Sequence, residues 1–191
     1  ASQGYEKKKF SNLVTLYQKI HAEIDWPSET NFITLSNKHQ ILLKDTFNRL
    51  IHQIEAPRLN QEAINNTLNI ERITNDYFDH EFGLTYIDNL LSPEALESLR
   101  VFLLGSTIWF DIKKGGYLGA YLKEGLANPL ILQIAEELRQ KFPKIFKNHP
   151  INQIWAYKYD SSAKNEKSSL RGINVHADFA AINVNFWITP N

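Results

Sequence analysis

The most constraining stretch of this chain is its last. Ile182, Val184, Phe186 and Ile188 alternate with Asn183, Asn185 and Trp187. Successive side chains of a strand point to opposite faces, so the alternation predicts a strand with one apolar face and one polar face. Gly172-Ile173-Asn174-Val175-His176-Ala177-Asp178, just before it, reads the same way: His176 aligns with Asn174, opposite Ile173 and Val175. Buried polar groups need partners. A polar, His-bearing inner face is odd for a plain sandwich core and natural for a barrel that holds a metal ion and a small acid.

The remaining sequence predicts helices followed by a mixed domain, an α+β chain. Phe10, Leu13, Leu16, Tyr17, Ile20 and Ile24 recur at helical spacing and predict a helix from Phe10 to Ile24, broken by Trp26-Pro27-Ser28. A second helix is expected from Lys38 to Ile54, packed antiparallel on the first through its apolar stripe. Residues 1–55 thus form a helical region. Residues 56–83 are polar and Asn-rich and read as a linker with one short helix, leaving 84–191 as the second domain.

That domain is expected to open with a strand at Leu84–Asn89. A helix follows from Ser92-Pro93-Glu94, with Ser as N-cap and Pro at the first helical position, and ends at Gly105. Thr107–Ile112 reads as a strand and Gly115–Tyr121 as a turn-rich loop, with neither glycine pattern of nucleotide sites. Asn128-Pro129 caps a helix running to Lys141, stopped by Pro143. Ile151–Asp160 reads as a strand with Ile154, Ala156 and Lys158 on one face and Trp155, Tyr157 and Tyr159 on the other. Ser161–Leu170 reads as a polar loop.

Composition removes several classes of function. Lys plus Arg and Asp plus Glu both number 21, so the formal net charge is zero and nothing points to nucleic acid or an anionic membrane. No apolar run approaches the roughly 20 residues that span a bilayer, and no signal peptide is read. Cysteine is absent, which excludes disulfides, thiolate metal sites and Cys nucleophiles and makes a cytoplasmic home the default expectation. Methionine is absent too, and the expectation is a fragment of a longer chain.

Two residues apart on a strand, His176 and Asp178 can point into one cavity and hold one metal ion, as part of a 2-His-1-carboxylate set. A lone His-x-Asp also fits a structural His hydrogen-bonded to a neighbouring Asp. Trp155-Ala156-Tyr157-Lys158-Tyr159-Asp160, Gly172–Asp178 and Ile182–Pro190 add to the pattern. Together they resemble the first half of the catalytic barrel in prolyl-hydroxylase-like Fe(II)/2-oxoglutarate oxygenases, bacterial members that follow tetratricopeptide-type helices above all. Tyr86–Glu94, Thr107–Asp111 and Gly116–Tyr121 look like earlier segments of the same domain, so the resemblance covers roughly residues 56 to 191.

The resemblance implies a double-stranded β-helix (jelly-roll or cupin-like) with supporting helices, here incomplete. It implies Fe(II) as metal, 2-oxoglutarate as co-substrate, and a hydroxylation whose substrate is a peptide side chain or a small molecule. His176 and Asp178 match the first two metal ligands. Tyr157, or Tyr159 beside it, would hydrogen-bond the co-substrate; Asn183 and Asn185 would line the cavity, Asn185 as a further co-substrate contact. The family's distal His and its co-substrate-anchoring Arg or Lys have no counterpart before Asn191, and none of His21, His39, His52, His80 or His149 stands where the distal ligand belongs. The expectation is a C-terminally incomplete oxygenase that holds metal weakly, with a second copy covering the exposed last strand. Two alternatives stand beside it. One is a non-enzymatic protein-binding module in which His176 and Asp178 are structural. The other is a cupin-like metal protein of different chemistry.

Overall fold

A computed structural model describes residues 7–27, 33–113, 117–159 and 178–189. The chain divides into two compact units, Ala1–Ile51 and His52–Asn191. The polar loop expected at 161–170 and the strand expected at 172–178, His176 included, lie outside the described residues, apart from Asp178.

The first unit holds helices α1 (Lys7–Glu23) and α2 (Asn37–Leu43). The Ser36 side chain caps α2 by accepting from the His39 N–H at 3.3 Å. Ile20 and Leu43 are buried. Glu23 meets Lys38 and His39 at 2.7 and 3.1 Å, while Tyr17 meets Thr46 at 3.3 Å, so the two segments run antiparallel. Helix α2 is much shorter than the expected Lys38–Ile54. The chain leaves it through turns, and Asn48 takes a φ of 55°, a left-handed conformation that a continuing helix does not admit and that Asn tolerates better than most residues.

The second unit holds α3 (Ile70–Asp79), α4 (Pro93–Gly105), α5 (Pro129–Lys141), α6 (Pro143–Phe146) and strands β1 (Asp111–Lys113), β2 (Tyr117–Tyr121) and β3 (Trp155–Tyr159). Among the described residues it is an α+β arrangement of helices with a three-stranded antiparallel sheet ordered β1-β2-β3. Helices α4 and α5 begin where their caps predict. The Ser92 hydroxyl accepts from the Ala95 N–H at 3.2 Å, and the Asn128 carbonyl oxygen accepts from the Ile131 N–H at 2.9 Å. Each places Pro at the first helical position, where no N–H partner is needed. Pro143 ends α5 and in turn opens α6.

The core joins Phe102, Leu99 and Ala95 of α4 to Leu130, Ile131 and Ile134 of α5, with Ile108, Ala120 and Leu126. Ala56, Ala63 and Ile64 belong to it as well. The first part of the segment expected as a linker, 56–83, is therefore a strap anchored to the core by buried Ala56, Ala63 and Ile64. Buried backbone outside a sheet must find partners elsewhere, and besides an isolated bridge to Leu91 α5 supplies them. Leu59 N–H donates to Gln133 Oε1 at 2.7 Å, and the N–H groups of Ala63 and Ile64 donate to Glu137 at 3.1 and 2.7 Å.

Four expectations about strands change, and the first is that Thr107–Ile112 gives way to the short β1 (Asp111–Lys113). Residues 84–89 form no strand: Leu84 and Tyr86 are exposed, Asn89 takes a φ of 53°, and among the described residues the pairing nearby is an isolated bridge between Ile64 and Leu91. Gly115–Tyr121 is not all turn, because Tyr117–Tyr121 is the central strand β2. Residues 182–188, despite their alternation, have no strand ladder among the described residues. Ile182 packs beside Phe142 and Ile145, Ile188 packs on the main core, and the Ile188 carbonyl accepts from the Arg100 guanidinium at 2.6 Å. Both faces of this segment stay largely exposed, Val184, Phe186 and Trp187 among them.

Candidate functional site

The sheet has two unlike faces, and its register decides which residue lies on which. Gly119 pairs with Asp111 on one side and with Tyr157 on the other, so Asp111, Gly119 and Tyr157 form a row across all three strands. Lys113, Tyr117 and Tyr159 form the neighbouring row, and Tyr121 and Trp155 lie beyond Gly119 on the same face. The opposite face carries Ala120, fully buried, and Ala156, which packs on the helical core. Side chains two apart share a face, so the tyrosines of β2 and β3 all point away from the helices.

On this face Lys113 Nζ and Asp111 Oδ2 are 2.5 Å apart, and the Tyr121 hydroxyl donates to the same oxygen at 2.8 Å. Lys113 also lies 5.5 Å from the centre of the Tyr121 ring, a cation–π distance. Tyr117 packs edge-on against Tyr157, with ring centres 5.2 Å apart, and stacks on Tyr159 at 5.0 Å. Gly119 makes room for this. A Cβ there would sit 3.3 Å from Asp111 Oδ2 and from the Tyr121 ring and hydroxyl.

The electrostatics follow from these contacts. Hydrogen bonds from Lys113 and then Tyr121 hold the Asp111 carboxyl below its ordinary range, and the same carboxylate pushes Lys113 upward. Partial burial, followed by Tyr121 as neighbour and hydrogen-bond partner, pushes the Tyr157 phenol up to about 12, and burial with Tyr117 raises Tyr159 as well. At neutral pH the face therefore presents one neutralised ion pair among protonated phenols. Neutral O–H donors beside aromatic planes suit a small ligand with oxygen acceptors.

Of the residues named from sequence, Tyr157 and Tyr159 lie on this face as expected, each partly exposed. Asp178 is exposed, its carbonyl accepting from the Ala180 N–H at 2.8 Å. Asn183 and Asn185 are exposed on the irregular last segment and are not part of the sheet. Among the described residues no group of three or more His, Asp or Glu side chains stands ready to hold a metal, and no helix is long and apolar enough to cross a membrane. Sequence reasoning passed over Asp111, Lys113, Tyr117, Gly119 and Tyr121. The period-two spacing of Tyr117-x-Gly119-x-Tyr121 carried the signal, but the glycines suggested a turn. No protein-family model, no curated protein and no solved structure matches this chain.

Proposed function

We propose that this chain carries part of the site of an Fe(II)/2-oxoglutarate-dependent dioxygenase built on a double-stranded β-helix, with His176 and Asp178 as two metal ligands and Tyr157 hydrogen-bonding the co-substrate. One observation carries the reading: an antiparallel sheet packs Ala120 and Ala156 of one face on the helical core and lines its other face with tyrosine phenols. That division is what a barrel wall around a small dicarboxylate requires. The donor set fits the metal, since imidazole and carboxylate both suit Fe(II) and a facial set leaves positions open. Bound there, Fe(II) would supply the oxygen chemistry. This chain's tyrosines would orient the co-substrate and keep water from it. The third ligand and the basic anchor have no assigned residue, so metal affinity should be modest.

The test is an anaerobic Fe(II) titration of the wild type and of His176→Ala and Asp178→Ala. Both variants should keep the wild-type circular dichroism spectrum and lose Fe(II) binding. Unchanged metal affinity in both would contradict the assignment. A docking module is the second reading, favoured by the exposed large side chains of Phe78, Phe82, Leu84 and Tyr86 within one short stretch. In that case the same substitutions change thermal stability and leave metal affinity where it was.

A further inference from the structure

Residues 182–188 carry the period-two pattern of a strand without a strand's partner. Among the described residues, none bonds to the backbone of 183–187. The segment is held at its ends. Ile182 packs beside Phe142 and Ile145, Ile188 packs on the main core, and the Ile188 carbonyl accepts from the Arg100 guanidinium at 2.6 Å. Between these ends Val184 and Phe186 are exposed, and Trp187 is 83% exposed. Open backbone groups flanked by apolar side chains are a template for another strand.

The residue pattern selects that strand. From Phe179 to Asn191 no residue is charged, so the segment meets a second copy of itself without like-charge repulsion and offers a charged partner no ion pair. The pattern is also self-complementary. In an antiparallel two-fold pair centred on Asn185, Ile182 faces Ile188, Val184 faces Phe186 and Asn183 faces Trp187. Asn185 faces its own copy, and its amide can both donate and accept there. A register one residue off would set apolar against polar throughout. Arg100 decides which edge is open. Backbone groups of successive strand residues point to opposite edges, so an Ile188 carbonyl held by Arg100 turns those of the even-numbered residues inward. Those of Asn183, Asn185 and Trp187 are left for the ladder, and the apolar pairs take the closer, non-hydrogen-bonded positions.

We propose that residues 182–188 are the contact through which two copies of this chain pair edge to edge, in the antiparallel register centred on Asn185. The pairing does not depend on the Fe(II) reading. The experiment is sedimentation velocity of the full chain over a concentration series, for the wild type, Asn185→Lys, Asn185→Glu and an equimolar mixture of these two variants. The wild type should pass from monomer to dimer as concentration rises. Each variant alone sets like charges directly opposite at the two-fold and should raise the dimer dissociation constant about fivefold. The mixture sets opposite charges there and should regain at least the wild-type affinity. Asn185→Pro, which removes the central N–H, should abolish the dimer while keeping the circular dichroism of the dilute wild type. A wild type that is monomeric at every concentration, or that grows into open-ended aggregates, overturns the proposal. So does a dimer indifferent to the substitutions at Asn185, or a pair of variants that fails to recover on mixing.

Discussion

Glu137 and Asp111 are both carboxylates held below their ordinary ionisation range, and they are held in opposite ways. Burial pushes Glu137 upward, but the backbone N–H groups of Ile64 and Ala63, with the Gln133 amide, outweigh it. Asp111 sits on an open sheet face and is held by side chains alone, Lys113 and Tyr121. A carboxylate tied to backbone from a segment more than seventy positions away is a fastener of the fold. One tied to a phenol and an ammonium on the same face can exchange partners with a ligand. The contrast separates the two halves of the second unit: a helical layer whose polar groups are spent on structure, and a sheet face whose polar groups are not.

The largest effect should come from the fastener. Glu137→Ala leaves the N–H groups of Ala63 and Ile64 buried without acceptors, which should cost about 3 kcal/mol in urea unfolding, since each such group costs about 1–3 kcal/mol. The pH dependence sharpens the point. The folded-state pKa of Glu137 lies below its ordinary value of 4.5, so its contribution is present above that value and is lost as pH falls through the folded pKa. The variant should therefore lose less stability than the wild type on acidification from pH 5 downward. An equal loss would show that Glu137 does not fasten the strap. Asp111→Asn should be nearly silent by comparison. Its ion pair is about a third exposed on both sides and is expected to contribute under about 1 kcal/mol. A loss as large as that of Glu137→Ala in the same urea series would place Asp111 among the structural carboxylates and erase the contrast.

What the sequence made legible follows the range of the forces involved. Helices α4 and α5 were readable because Ser92-Pro93 and Asn128-Pro129 act within one turn. The strap at 56–64 was not, because its polar look hides small buried residues whose hydrogen-bond partners lie on a distant helix. Beyond α2, Asn48 takes a left-handed backbone angle that composition does not announce and that keeps the helix from running on to Ile54. The alternation of 182–188 proposed a strand, yet alternation makes a strand only where a ladder partner exists, and Arg100 takes the Ile188 carbonyl instead. Tyr157 and Tyr159 could be placed on one face by counting in twos. Their companions on β1 and β2 depended on register between strands, which one sequence does not state.

The central claim is that the tyrosine face receives 2-oxoglutarate. Its most direct test is calorimetric titration of 2-oxoglutarate into the chain with and without Fe(II), for the wild type and for Tyr157→Phe. The account predicts binding that depends on Fe(II) and weakens about fivefold when the Tyr157 hydroxyl is removed. Absence of binding in the wild type, or binding indifferent to Tyr157, would contradict it.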